Sequence, residues 1–340
     1  MRGLFVGVCI CFCLAASGRP VAQVTFHVVD DAKHSVTGFA IGLGTFLRHI
    51  PGDNFGTDEN TSVWGVTDTN GWVTLSIPSI TGEVTYWPYV SDRTAVDKMT
   101  IYHGNYGFRH ERLRFKEAVS GRWQPWNPTV EVEMKRIVNP IPLYAKIIKL
   151  QKSKRIPEFG KPIGFDLMKA DWVKPYGNGE ESDFIFTINV KLGGMTREKF
   201  GYRIHDSSFH VGFSNDGDGI QSVYAEPNKG SVLRLPRLAP EQGYETCLTR
   251  KSYSHKDGFF NEKRDDQNYF FRVRTKKDEE GNIVSALYGK IHGEFDWDWM
   301  GGVRFTYYLN PTPNDRNLEF DGKNNLLKPG RRDTSWPKEP

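Results

Sequence analysis

Apolar side chains in this chain recur at every second position and almost nowhere at helical spacing. The alternation is plain in Val24-Thr25-Phe26-His27-Val28-Val29, Trp72-Val73-Thr74-Leu75-Ser76-Ile77, Glu83-Val84-Thr85-Tyr86-Trp87 and Thr129-Val130-Glu131-Val132-Glu133-Met134. A period of two with β-branched and aromatic residues is the pattern of a strand with one buried face. The same reading places strands at Phe184 to Val190, Tyr202 to Phe213, Gln221 to Ala225, Tyr269 to Thr275, Ile283 to Ile291 and Val303 to Leu309. Turn signals separate them: Asn70-Gly71, Gly193-Gly194, Asp216-Gly217-Asp218-Gly219, Gly281-Asn282 and Gly301-Gly302. Short helical turns are expected only near Thr57 to Ser62 and Thr196 to Phe200. The predicted class is all-β, with two β-sandwich-like domains, the C-terminal one larger and antiparallel.

The first 22 residues read as a secretory leader. Arg2 supplies the positive start, Leu4 to Ala16 an apolar run of 13 residues, and Ala15, Ala16, Ser17 and Gly18 the small residues of a cleavage site. That run fits a signal core and is too short to cross a bilayer. Cleavage after Ser17 or Gly18 fits the small-residue rule, and Ala22 offers a further site. No second long apolar run follows, so no transmembrane segment is expected, and the protein is read as secreted, periplasmic or cell-surface. Cys9, Cys11 and Cys13 fall inside the leader, which leaves Cys247 without a partner for an internal disulfide. It is expected as a buried small hydrophobe.

At 340 residues the chain suits about two domains. The expected plan is a first domain at 23–138, a Pro-rich strand-bearing linker at 139–163, a β-rich domain at 164–327 and a frayed tail at 328–340 in which Trp336 is a docking point. Pro140, Pro142, Pro157 and Pro162 mark the linker, because proline fits poorly in a central strand. The net charge of +4 is too small to imply a nucleic-acid partner.

Three features of residues 24–136 carry a resemblance. Val24 to Val29 runs into the polar turn Asp30-Asp31-Ala32-Lys33-His34-Ser35, a second strand opens at Val36-Thr37-Gly38, and Val66-Thr67-Asp68-Thr69-Asn70-Gly71-Trp72-Val73-Thr74-Leu75 has the form of a Thr-Asp-x-x-Gly turn feeding a strand. Asp68 is placed to accept backbone amides, and Asn70-Gly71 supplies the positive φ of a tight turn. In these features the segment resembles the carboxypeptidase regulatory-like domain, a transthyretin-like β-sandwich. The resemblance implies a scaffolding or binding module without catalytic residues.

Four stretches carry candidate chemistry. On a continuous strand, Lys290 to Trp299 would put Glu294, Asp296 and Asp298 on one face and Phe295, Trp297 and Trp299 on the other. Three carboxylates about 7 Å apart repel unless compensated. Neighbouring Lys or Arg would do this, and so would calcium; a paired-carboxylate glycoside hydrolase is the catalytic option. Ser214-Asn215-Asp216-Gly217-Asp218-Gly219 imitates the start of a calcium loop, with Asp216 and Asp218 as ligands, or forms a plain hairpin turn. Tyr102 to Phe115, followed by Trp123, Trp126 and Asn127, interleaves aromatics with arginines, as a glycan surface or a solvated edge strand does. Asn60-Thr61-Ser62 matches a glycosylation acceptor. Common short enzyme signatures, including His-Glu-x-x-His, Gly-x-Ser-x-Gly and phosphate-binding loops, are missing from the sequence.

The leading expectation is therefore an exported, non-catalytic binding or structural module for an extracellular polysaccharide or cell-surface component. Its candidate ligand residues are Trp123, Trp126, Asp296, Trp297, Asp298 and Trp299, and its candidate calcium residues are Asp216, Asp218, Glu294, Asp296 and Asp298. A carbohydrate-active hydrolase working through residues 294–298 and a structural adhesion or assembly protein are the alternatives. Facing acids across a cleft would mark the first, and a free strand edge or exposed apolar patch the second.

Overall fold

The computed structural model describes residues 18–50, 57–89, 111–150, 155–196, 201–225, 231, 233–328 and 335–337. Among the described residues the protein is all-β, with no helix and 21 strands. It divides into two units. The first comprises Met1–Arg136 with Asn228–Ser231, and the second Ile137–Pro227 with Val232–Pro340.

Nine strands build the first unit: β1 (Val21–Val29), β2 (Ala40–Ile50), β3 (Thr57–Val66), β4 (Trp72–Pro78), β5 (Glu83–Tyr89), β6 (Glu111–Arg114), β7 (Glu117–Val119), β8 (Arg122–Gln124) and β9 (Thr129–Glu133). One sheet runs β4-β1-β8-β7, with β9 also parallel to β1; the other runs β3-β2-β5-β6. The alternation in β1 buries Ala22, Val24, Phe26 and Val28 completely, and they pack on Ile41, Leu43, Ile77 and Val84. At roughly 1.5–3 kcal/mol for each large apolar side chain, this core holds the sandwich. The turn after β3 forms as its residues predict. Asp68 Oδ1 accepts the amides of Asn70 at 2.8 Å and Trp72 at 2.9 Å. Gly71 takes φ +76°, where a Cβ would meet Val28 O at 2.6 Å. Asp30 closes the turn after β1 by accepting the amides of Ala32 and His34, and it receives Arg136 Nε at 2.7 Å. Burial pushes its carboxyl up, but Arg136 and the two amides outweigh that and leave it below the usual range.

The second unit holds β10 (Tyr144–Leu150), β11 (Ile163–Asp166), β12 (Asp171–Trp172), β13 (Phe184–Met195), β14 (Arg203–Gly212), β15 (Gly219–Tyr224), β16 (Leu248–His255), β17 (Gly258–Asn261), β18 (Gln267–Lys277), β19 (Ile283–Ile291), β20 (Asp296–Trp297) and β21 (Val303–Leu309). Two six-stranded sheets form, β10-β21-β19-β18-β15 with β20 on β21, and β12-β11-β13-β14-β16-β17. Their inner faces share an aromatic core in which Phe295 meets the rings of Phe184, Phe186, Phe209, Tyr269 and Phe305.

A register shift in β18 beyond Val273 accompanies Arg274 at φ +55°. Its guanidinium bonds Asp183 at 2.7 and 2.9 Å and Asp166 at 3.2 Å. Burial dominates at Asp183, which has a single backbone donor in Leu167, and raises its carboxyl. Asp166 is also desolvated, but the amides of Glu180, Glu181 and Lys169, together with Arg274, bring it below the usual range.

Several expectations change. β1 begins at Val21, two residues inside the proposed 1–22 leader, and Ala22 is core; residues 1–17 lie outside the described set. Thr57 to Ser62 is strand, not a helical turn, because it pairs with β2 through Gly44↔Ser62 and its neighbours. Of the helical turn expected at Thr196 to Phe200, residues 197–200 lie outside the described set. The strand opening expected at Val36 begins instead at Ala40. Within residues 139–163 the expected strand forms as β10, which pairs with β21 along all seven of its residues and buries Ala145, Ile148 and Leu150 in the second unit. Part of the expected tail is ordered, with Ile147 N donating to Ser335 O at 2.7 Å. Cys247 is exposed rather than buried.

Candidate functional site

The clearest built surface lies on the outer face of the β3-β2-β5-β6 sheet. In Ile41-Gly42-Leu43-Gly44 the two apolar side chains point into the core, so both outward positions are glycine. Gly42 is paired with Trp64 on one side and Trp87 on the other, and Gly44 with Ser62 and Thr85. With no side chain beneath it, the Trp87 indole rests on the β2 backbone. An ideal Cβ at Gly42 would sit 2.5 Å from Cε2 and Nε1 of Trp87, and one at Gly44 would sit 2.8 Å from its Cη2. Trp64 packs edge-on against Trp87, with centroids 5.3 Å apart and planes at 79°.

The groove beside Trp87 is lined mostly by polar groups. Trp87 lines a groove of about 450 Å³ with Thr45, Asn60, Thr61, Ser62, Glu83, Thr85 and Arg112. Arg112 and Arg114 hold Glu83 at 3.3 and 2.9 Å. Thr45 Oγ1 bonds Glu83 O at 2.7 Å and pairs with the Ser79 hydroxyl at 2.9 Å. The result is a braced aromatic surface bordered by hydroxyls, an amide and a Glu83 carboxylate shared by Arg112 and Arg114, a cluster with one net positive charge. Such a surface matches the C–H faces and hydroxyl rims of a sugar.

The Lys290–Trp299 tract is not one continuous strand, because β19 ends at Ile291 and pairing resumes only at Asp296–Trp297, with Arg304 and Val303. Its three acids therefore do not share a face. The Glu294 side chain is only 3% exposed; it accepts from the Tyr269 hydroxyl and meets Arg250 Nε at 3.4 Å. Burial and the adjacent carboxylate push the Tyr269 phenol well above its usual range. Asp296 pairs with Lys263 at 3.1 Å on the surface. Asp298 accepts the amides of Met300 and Gly302 and closes a turn. The rings pack as well: Trp297 stacks on Phe209 at 5.7 Å, and Trp299 lies 5.4 Å from His205.

The 214–219 loop is a turn braced by protein groups. Asp218 is buried and accepts from Thr275 N at 2.8 Å and Asn215 Nδ2 at 2.9 Å, while Asp216 points outward to Lys277 at 2.7 Å. Asp216 and Asp218 thus diverge, and the calcium geometry expected there and at Glu294, Asp296 and Asp298 is not what the side chains adopt. Among the described residues no group of three or more His, Cys, Asp and Glu side chains is arranged to hold a metal.

Trp123 packs against the core of the first unit and donates Nε1 to Ser79 O at 2.8 Å. Trp126 has the Arg122 guanidinium 4.8 Å above its ring. Residues 102–110 of the basic-aromatic stretch lie outside the described set. The sequence thus pointed to tryptophans that brace loops, and it missed Trp64 and Trp87. The available signal was Gly at both outward positions of Ile41-Gly42-Leu43-Gly44, a gap that a neighbouring ring can fill.

No helix among the described residues is long and apolar enough to cross a membrane. No family model and no curated protein matches the sequence. Among solved structures the chain is similar to BcpA, the major pilin subunit of Bacillus cereus, at 9% identity, covering 88% of this chain and 98% of that one with a TM-score of 0.21. A single-residue variant of the same pilin matches at 10% identity over 81% and 94% of the two chains, also with a TM-score of 0.21. Scores this low carry no argument about role.

Proposed function

We propose that the protein is an exported, non-catalytic binding protein whose first unit, of the carboxypeptidase regulatory-like type, presents a neutral-polysaccharide surface centred on Trp87. The observation that carries this reading is the flat seat of the indole on Gly42 and Gly44, braced by Trp64 and bordered by Thr85, Ser62 and Arg112. A rigid ring among fixed hydrogen-bonding groups loses little entropy on binding. The lack of facing acids at Glu294, Asp296 and Asp298 weighs against the hydrolase alternative.

Native gels containing β-glucan, galactomannan, dextran or amylopectin test the proposal. Retardation by at least one polymer, abolished in Trp87→Ala and kept in Trp297→Phe, is the expected result. Migration unaffected by all four polymers, or equal retardation of Trp87→Ala, would refute it.

An assembly role has one observation of its own. β17 ends its sheet, and it carries Phe259 at 71% and Phe260 at 40% exposure. An edge with exposed aromatics is a template for strand addition. Concentration-dependent self-association lost in Phe259→Lys would favour this second reading.

A further inference from the structure

We propose that the second unit carries a separate site for an acidic polysaccharide of the polyuronate class, on the outer face of β13, β14 and β16. The inference rests on this unit alone and extends beyond the neutral-polysaccharide surface around Trp87. Strand register sets three rows on this face: Thr187–His210–Thr249, Asn189–Ser208–Lys251 and Lys191–Asp206–Tyr253. The intervening positions Phe186, Ile188, Phe209 and Val211 are buried in the core, so the outward rows are free of any packing duty between sheets. The second and third rows border a groove of about 560 Å³, with Phe159 also on its wall. That volume is within the usual range for a ligand site.

Charge selects the ligand. Neither the Lys191 nor the Lys251 ammonium is ion-paired with a carboxylate among the described residues. Asp206, the acid in the groove, is instead engaged by His255 Nε2 at 2.9 Å. Two strand spacings and one row separate the lysines, which places their Cα atoms about 12 Å apart. Lysines rising side by side from anchor points this far apart suit charges spaced along an extended polyanion.

Between them lie Asn189, Ser208 and the acid Asp206, the last held by His255. Asn189 Nδ2 reaches Ser208 Oγ at 3.4 Å, and Ser252 is a further wall residue. Tyr253 closes one end, held by stacking on Phe260 at 5.2 Å and on His255 at 4.7 Å. Lysines at the ends, an amide and hydroxyls beside the His255-held Asp206 between them, and a fixed phenol ring together match a chain of hydroxylated rings bearing carboxylates. A peptide or nucleic-acid polyanion would use the lysines but not this arrangement.

Titration calorimetry on the full chain, with polygalacturonate as probe and dextran, polyglutamate and single-stranded DNA as comparators, tests the proposal. Polygalacturonate is expected to bind, and more weakly as salt rises. Lys191→Ala and Lys251→Ala should each weaken binding about fivefold, as for one lysine against an anionic surface. Dextran should not compete for this site, and Trp87→Ala should leave polygalacturonate affinity unchanged. Both lysine variants lie on the surface, and an unchanged thermal midpoint confirms that they fold. Absence of polygalacturonate binding, wild-type affinity in the double lysine variant, or equal affinity for polyglutamate or DNA would overturn the proposal. Loss of polygalacturonate binding in Trp87→Ala alone would move the site to the first unit and equally overturn it.

Discussion

Replacing Gly42 with Ala separates the seat of Trp87 from the stability of the sandwich around it. The new Cβ would lie 2.5 Å from the indole, against an ordinary contact of 3.4 Å, so the ring must lift by about 0.9 Å. The obstacle is a side chain on an open face, so the ring can move. Moving it forfeits a quarter to a half of its contact energy with β2. Against this, alanine in a strand interior gains about 0.5–1 kcal/mol over glycine. The two effects nearly cancel, and the urea midpoint should hold. Binding has no such compensation. A sugar resting on the raised ring can no longer reach groups bordering it, because a hydrogen bond of 2.9 Å lengthened by 0.9 Å is lost. One or two such losses cost about 1–2 kcal/mol, roughly a 5- to 30-fold weaker affinity. The assay pairs urea denaturation with affinity electrophoresis on the polymer that retards the wild type. Gly65→Ala is the control. Its Cβ would meet Val73 and Leu75 at 2.6 Å on the core side, so it should lose about 1–3 kcal/mol of stability while the native fraction binds normally. Wild-type affinity in Gly42→Ala, or a loss that simply tracks stability in both variants, would refute the platform.

Arg274→Met should destabilise the second unit by about 3–5 kcal/mol, read as a shifted denaturation midpoint, because it leaves Asp166 and Asp183 without their shared cation. Asp30 has a folded pKa below its unfolded value, so its stabilisation is complete above about pH 4 and lost as pH falls through the folded pKa. Asp30→Asn should therefore cost about 2 kcal/mol at pH 7, and its urea midpoint should approach that of the wild type as the pH falls below about 4. Cys247 is exposed and should react fully with a maleimide under native conditions, a result that a buried thiol would not give. Phe295→Ala removes a ring touching five other aromatics and should cost about 3–5 kcal/mol by the same denaturation assay.

What the sequence disclosed follows from where alternation is written in apolar residues. β1, β4, β19 and β21 could be read because one of their faces is filled with Val, Ile, Phe and Tyr, and the Asp68 turn because its acceptor and its glycine are local. β16 escaped notice because Leu248 to His255 carries its alternation in Thr, Arg, Lys, Ser and Tyr, and its inward side includes Ser252 and Ser254 rather than aliphatics. β2 was expected but its opening was placed at Val36 rather than Ala40, and its extent was hard to read for the opposite reason. Its outward positions 42 and 44 are glycines, so the polar half of the period is absent there. The sites fell into the same blind spot. The surface around Trp87 exists only when β2 lies between β3 and β5, and the spacing of Lys191 and Lys251 only when β14 lies between β13 and β16. Neither pair is close in sequence, and no local motif specifies such a distance. The carboxylates at 294, 296 and 298 misled in a complementary way. Their spacing suits one strand face, yet Gly293 at φ +88° and the Asp298 turn break the tract, and each acid finds its own partner. Local spacing specified the turns of this protein. Its recognition surfaces depend on pairing across strands, so variants that alter register or the glycine floor should affect binding more selectively than changes to the exposed acids.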